Sequence, residues 1–105
     1  MQRPSIPEDC RHNGHLYRLL LPSEAARDAA IAELARRGVQ AIFHYVPLHN
    51  SPAGRRFARA CGTMRVTEDA ARRLVRLPLH ATLSDAEQAH VIEAVLAVCG
   101  AGVYS

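Results

Sequence analysis

Lysine is missing from the sequence: all thirteen basic residues are arginine. A chain without a side-chain amine cannot form a Schiff base with a carbonyl compound, which removes a whole branch of covalent catalysis. Aromatic residues are scarce at 5%, with no tryptophan, so a core must be built from Leu, Val, Ile and Ala. No apolar run approaches the roughly 20 residues of a membrane-spanning helix. Residues Met1 to Cys10 lack the apolar stretch of a secretory leader, so the expectation is a soluble, cytoplasmic protein. There is no Cys-x-x-Cys pair. The three cysteines, Cys10, Cys61 and Cys99, are far apart and fit reduced thiols better than a disulfide framework. Cys61 and Cys99 each precede a glycine at the end of a helix-like run, where a small buried apolar residue is expected.

What is present describes one compact domain. The chain has 105 residues, 49% hydrophobic and 22% charged, with a formal charge of +3; this is ordinary globular composition, too mildly basic to point to nucleic acid. Residues 1–13 read as a polar, extended lead-in, 14–100 as the domain, and 101–105 as a loose tail. His15 to Leu21 alternates as a strand ended by Pro22. Ser23 is placed to cap a helix carrying Ile31, Leu34 and Ala35 on one stripe and closed by Gly38. Val39 to Val46 reads as a second strand with Val39, Ala41, Phe43 and Tyr45 on one face, stopped by Pro47. Ser51 and Pro52 open a helix expected to reach about Cys61, with Phe57, Ala60 and Cys61 inward. Thr67 is expected to cap another helix, with Glu68 and Asp69 at its positive end and Leu74 inward. Arg76 to His80 is a short strand whose Pro78 suggests an edge or a strand end. Ser84 to Glu87 forms a capping box for a last helix with Ile92, Val95, Leu96 and Cys99 inward. The fold class expected is α+β, a small three-stranded sheet covered by about four helices.

Several side-chain groups have chemistry to offer. Cys10, His12 and His15 are metal-competent, but a closed tetrahedral site needs four ligands and no second pair stands nearby, so a solvent-facing lead-in is the expected role and no metal is assigned. The serines Ser23, Ser51 and Ser84 are accounted for as helix caps. Arg55, Arg56 and Arg59 form a basic cluster without aromatic platform or glycine-rich loop, which favours a solvated face over nucleic-acid binding. There is no phosphate-binding loop, dinucleotide fingerprint or paired-carboxylate signature. His44, Tyr45 and His49 bracket Pro47 where a strand runs into a loop, a place where scaffolds present functional groups. From the residues alone two readings stand: a presented site, or Tyr45 in the core beside two ordinary loop imidazoles.

The segment from Ile6 through His15, then FHYVPLHNSPAGRRFAR, then VTEDAARRLVRLPLHATLSDAEQ, resembles the C-terminal small domain of the DegT/DnrJ/EryC1/StrS sugar aminotransferases. Within that family it is most similar to the type that aminates a dTDP-linked 4-keto-6-deoxy sugar. The most specific stretch is His44 to His49 followed by Ser51-Pro52-Ala53-Gly54, supported by Arg76 to Leu79 and the capped helix after it. His80 departs from the family's frequent Tyr, and no role is attached to it.

The resemblance implies a fold-type I, pyridoxal-phosphate enzyme, usually a homodimer, moving an amino group onto a nucleotide-linked keto sugar. It implies that a large domain supplies the lysine and most cofactor contacts while the small domain helps to wall the cleft. His44, Tyr45 and His49 match the stretch bordering that cleft and are the candidate substrate-binding residues; none is assigned as catalytic or cofactor-binding. The expectation is that this chain alone binds no pyridoxal phosphate and is inactive, its partners being a large domain or a homodimer mate and a nucleotide-linked keto sugar. The implied origins are a truncated gene product, a separately encoded fragment, or a piece of a longer enzyme. The alternative is a stand-alone nucleotide-sugar or protein-binding module. Nucleic acid and membrane are not expected partners.

Overall fold

The structure, a computed structural model, describes residues 1–100; the tail expected at 101–105 lies outside the described residues. The order is β1 (Tyr17–Leu20), α1 (Glu24–Arg36), β2 (Ile42–Phe43), a 3₁₀ turn (Leu48–Asn50), α2 (Pro52–Phe57), α3 (Arg65–Arg73), β3 (Leu74–Leu77) and α4 (Asp85–Cys99). The strands form one antiparallel sheet in the order β1-β3-β2. This is the α+β class expected from the sequence.

The core lies between one sheet face and helices α1 and α4. Leu19, Leu21 and Val75 meet Ala30 and Leu34 of α1 and Ala94 and Val95 of α4, with Val39 and Ala41 closing the side. Leu34, Val39 and Val75 are fully buried, and each contributes on the order of 1.5–3 kcal/mol by leaving water. Ser23 caps α1 by accepting from the Ala26 amide at 3.1 Å. Gly38, at φ +76°, lets the chain turn back from α1 into Val39, a left-handed conformation that costs glycine little. The capping box at α4 is complete, with Ser84 and Glu87 bonded reciprocally. His90 of α4 donates from Nε2 to the Arg37 carbonyl at 2.8 Å, pinning α4 to the end of α1. No helix among the described residues is long and apolar enough to cross a membrane.

The sheet departs from expectation in the extent of its strands. Of the two positions Pro78 suggests, the structure takes the strand end and not the edge, since β3 is the central strand. It begins where α3 ends at Arg73 and stops before Pro78, so the proline lies just outside the ladder and removes no bond from it. β1 pairs along all four residues of β3, but β2 pairs only at Ile42 and Phe43, and the expected Val39–Val46 strand shrinks to two residues. Val39 and Ala41 are buried as expected, whereas Phe43 and Tyr45 are 57% and 74% exposed. The alternative in which Tyr45 packs in the core therefore fails.

The helices differ too. α2 stops at Phe57, leaving Phe57 77% exposed; Ala60 and Cys61 are exposed rather than inward. α3 starts at Arg65 after Met64, so Thr67 lies inside the helix and caps nothing. Leu74 becomes the first residue of β3 and is half-buried. On α1, Ala30 replaces Ala35 on the buried stripe. On α4 the buried line runs through Val91, Ala94, Val95 and Val98, leaving Ile92 and Leu96 half-exposed. In the N-terminal segment Cys10, His12 and His15 are exposed, while its first two residues join the fold. Gln2 exchanges backbone bonds with Leu20 at 2.8 and 2.9 Å, and Met1 reaches the core.

Candidate functional site

Beyond Phe43 the chain loses its strand partner and runs as His44, Tyr45, Val46 and Pro47 into the 3₁₀ turn. Pro47 lacks a donor and so ends ladder bonding in any case. The turn is tied tightly. The Leu48 carbonyl accepts from the Ser51 hydroxyl at 2.8 Å, and the Gly54 amide donates to that same hydroxyl at 2.9 Å. A Cβ on Gly54 would lie 1.7 Å from the Leu48 oxygen, so only glycine allows α2 to approach the turn this closely. Sequence order alone thus carries a small backbone knot at residues 47–54.

The knot is fastened to α3 by one carboxylate. Glu68 Oε1 accepts from His49 Nε2 at 3.0 Å and from Asn50 Nδ2 at 3.3 Å. Arg72, one turn later on α3, bonds back to the Glu68 carbonyl at 3.3 Å. These two acceptor bonds hold the Glu68 carboxyl below the usual carboxylate range.

Between this fastening and the end of β2 lies an open cavity of about 390 Å³, lined by Phe43, His44, Tyr45, Pro47, Asn50, Glu68, Arg27 and Arg72. Two of its walls are aromatic, and arginines stand against them. Arg27 sits 6.0 Å from the Phe43 ring centre and Arg76 5.3 Å from that of Tyr45, distances at which the ring quadrupole attracts a cation. Such a cavity offers faces for a planar ring, guanidinium groups for an anion and an amide and carboxylate for hydroxyls. A broader apolar cavity of about 640 Å³ shares His44 to Pro47 with it and extends to Leu48, Val66 and Leu74.

Of the three residues singled out from the sequence, His44 and Tyr45 line the smaller cavity together, their ring centres 5.2 Å apart. His49 does not line it; its side chain is 16% exposed and turned into the α3 contact. His44 Nδ1 is buried without a partner, and burial, then the charges of Arg76 and His15, lower its pKa below the usual 6.5. Glu68, Arg72 and Arg27 were missed as site residues. Glu68 looks like a helix-start acid that complements the dipole, and nothing in local spacing links it to a histidine nineteen positions earlier. The Glu68–Arg72 spacing of four was the available signal.

The other candidate clusters do not assemble. His12 and His15 stack with centres 5.8 Å apart. No group of three or more His, Cys, Asp or Glu side chains is gathered as a metal site among the described residues. Arg55 and Arg56 point to solvent from a helix of only six residues, and Arg56 covers the ring of Phe57 at 5.0 Å. The cysteines are unpaired among the described residues, and burial pushes the Cys99 thiol up.

Against known proteins, the profile of the DegT/DnrJ/EryC1/StrS aminotransferase family matches residues 1–96. The chain is 34% identical over 84 residues to a dTDP-4-dehydro-2,3,6-trideoxy-D-glucose 4-aminotransferase of Saccharopolyspora spinosa, a match covering 80% of this chain and 20% of that one. Among solved structures it is similar to the aminotransferase TlmJ of Streptoalloteichus hindustanus, with a TM-score of 0.75 and 33% identity over 90% of this chain and 25% of that one. It is also similar to a DegT DnrJ EryC1 StrS aminotransferase of Brucella abortus, with a TM-score of 0.79 and 28% identity over 94% and 26% of the two chains. The chain thus spans between a fifth and about a quarter of the length of these relatives.

Proposed function

The chain belongs to the DegT/DnrJ/EryC1/StrS aminotransferase family, and from that premise we propose that it acts as the cleft-walling small domain of a nucleotide-sugar aminotransferase. The observation that carries this reading is the cavity at the end of β2. Its aromatic and arginine-lined wall is built by His44, Tyr45 and their neighbours, within the stretch most similar to the family's cleft border. In this role Tyr45 offers a ring face to the nucleotide sugar, His44 a ring nitrogen to a hydroxyl or phosphate, and His49 keeps the turn in place through Glu68.

Members of the family use pyridoxal phosphate, which serves as an electron sink once it is held as a Schiff base. The residues present here do not fit that coenzyme, because the chain has no lysine with which to hold it. Amino transfer therefore requires a second polypeptide segment that carries the lysine, and this chain contributes wall and ligand contacts. A chain of this composition, mixed with pyridoxal phosphate and dialysed, is expected to keep no Schiff-base absorbance.

The reading is tested by titrating the isotope-labelled chain with thymidine diphosphate and a dTDP-linked hexose while following its resonances. Saturable shifts confined to residues 43–50, Glu68 and Arg72 are expected, with Tyr45→Ala weakening them several-fold. Absence of any response there, or turnover of a keto sugar by this chain alone, overturns the proposal. A response to the nucleotide in a chain for which no lysine-bearing companion exists in its cell would instead favour a stand-alone binding module.

A further inference from the structure

The pleat that sends Leu19 and Val75 into the core sends Arg18, Leu20, Leu74 and Arg76 to the opposite side of the sheet. Arg18 and Arg76 are directly opposite one another in the β1–β3 register. Like charges at such a position repel and destabilise the pair. Neither arginine makes a hydrogen bond or ion pair among the described residues, although Arg27, Arg36, Arg37, Arg72 and Arg73 all find carboxylates. Each of the two keeps one guanidinium nitrogen buried without an acceptor, Nη1 of Arg18 and Nε of Arg76. An unmet buried donor is costly, and more so on a charged group. Both side chains are half-buried, and although Arg76 stacks on the Tyr45 ring, neither guanidinium meets an acceptor.

The surroundings share that sign. A cavity of about 240 Å³ opens beside Arg76, with His15, Gln40, Ile42 and Leu16 among its walls and no carboxylate lining it. At roughly 30 Å³ per water molecule, it has room for a small polyatomic anion. His44 is close enough to feel the charges of both Arg76 and His15. Arg76, His15 and Gln40 therefore line one cavity with no acid among them, and Arg18 lies beside Arg76 on the same face of the sheet.

We propose that this outer face of the sheet is an oxyanion-binding site, taking a doubly charged carboxylate or phosphate ligand between Arg18 and Arg76 with His15 and Gln40 at its edge. The planar fork of arginine matches two oxygens of either group, and a dianion turns the facing like charges from a liability into a clamp. Occupancy requires the two side chains to swing so that their orphaned nitrogens meet ligand oxygens, which arginine's long stem allows. The site adjoins the cavity at the end of β2 and touches it through His44 and the stacking of Arg76 on Tyr45. Arg18, Arg76, His15 and Gln40 do not line that cavity, so the site stands whether or not it takes a nucleotide sugar.

The test uses the full chain, labelled with nitrogen-15 and titrated with inorganic phosphate or with glutarate at constant ionic strength set by chloride. Saturable shifts of the Arg18 and Arg76 Nε–H resonances are expected, together with an upward move of the His44 titration midpoint as the bound anion offsets its cationic neighbours. R18Q and R76Q should each weaken binding by about tenfold or more, the factor matching a charged hydrogen bond of about 1.5–3 kcal/mol; R55Q should not. Saturation by phosphate alone assigns a phosphate-bearing ligand, and saturation by glutarate alone assigns a carboxylate-bearing one. Because each substitution also removes a like-charge pair, R18Q and R76Q are expected to raise the melting temperature. No saturable shift with either anion, the same shift with chloride, or loss of folding in both variants overturns the proposal.

Discussion

The two halves of the molecule are built on different terms. In one, α1, α4, β1 and the core-facing side of β3 enclose Leu19, Leu34, Val75 and Val95 and leave those side chains almost no contact with water. In the other, from Phe43 to Val66, large apolar residues face outward: Leu48 is 84% exposed and Val66 85%. That second half is held by polar fastenings, the Ser51 hydroxyl, the Gly54 approach and the Glu68 carboxylate, rather than by burial. A fold that spends polar bonds to hold apolar residues outside its own core is holding them for another surface or ligand. Stability and recognition are thereby divided between neighbouring parts of one small domain.

Substitutions should separate the halves. Leu34→Ala is expected to cost about 2–5 kcal/mol by opening a cavity in the packed half, whereas Phe57→Ala should change stability by no more than about 0.5 kcal/mol; denaturant melts of both variants check this, and equal effects would erase the distinction. Gly54→Ala comes next. The clash with the Leu48 oxygen should cost about 1–3 kcal/mol and shift amide resonances over residues 47–54 while those of α4 stay in place. Ser84→Ala, which removes the cap of α4, should lose about 1 kcal/mol with no change in the exchange rates of the 47–54 amides.

The smallest global effect and the sharpest local one belong to acidification. Glu68 is held below its ordinary 4.5, so its contribution is complete above that pH and is lost as the pH falls through the lowered folded value. His44 is likewise lowered from 6.5, and a histidine that resists protonation when folded withdraws stability as the pH drops below 6.5. Both groups are in the exposed half. Hydrogen exchange should therefore show residues 43–54 opening before α1 and α4 as the pH is brought from 7 towards 4, and Glu68→Gln should show this looseness already at pH 7. Uniform opening across the chain would contradict the assignment of these groups to one half.

Much of the packed half was legible in the sequence because its signals are local. Ser23, Ser84 with Glu87, Gly38 and the order of elements all depend on residues within a few positions of each other. The exposed half was misread because alternation tells which residues share a face, not whether anything covers that face. Val39, Ala41, Phe43 and Tyr45 do alternate, yet the covering layer ends before Phe43. The inward expectation for Phe57 and Cys61 rests on the same assumption, that an apolar residue on a helix finds a core within its own chain. The site suffered similarly. His44 and Tyr45 announced themselves by type and by their place at a strand end, but the partnership of His49 with Glu68 depends on how α3 returns past the turn, which no short window encodes. The unsatisfied pair Arg18 and Arg76 required the register of β1 against β3, a long-range pairing that no local pattern encodes.

The close approach of α2 to the Leu48 carbonyl has a practical bearing on anyone reshaping what this domain accepts. Because the backbone at 47–54 is locked into itself, altering that stretch trades away the mounting along with the tool. The adjustable parts are the jaws on either side, Phe43 facing the smaller hollow, Val66 the larger, and Tyr45 and Val46 both, where side chains can be exchanged without disturbing the hinge pin that carries them.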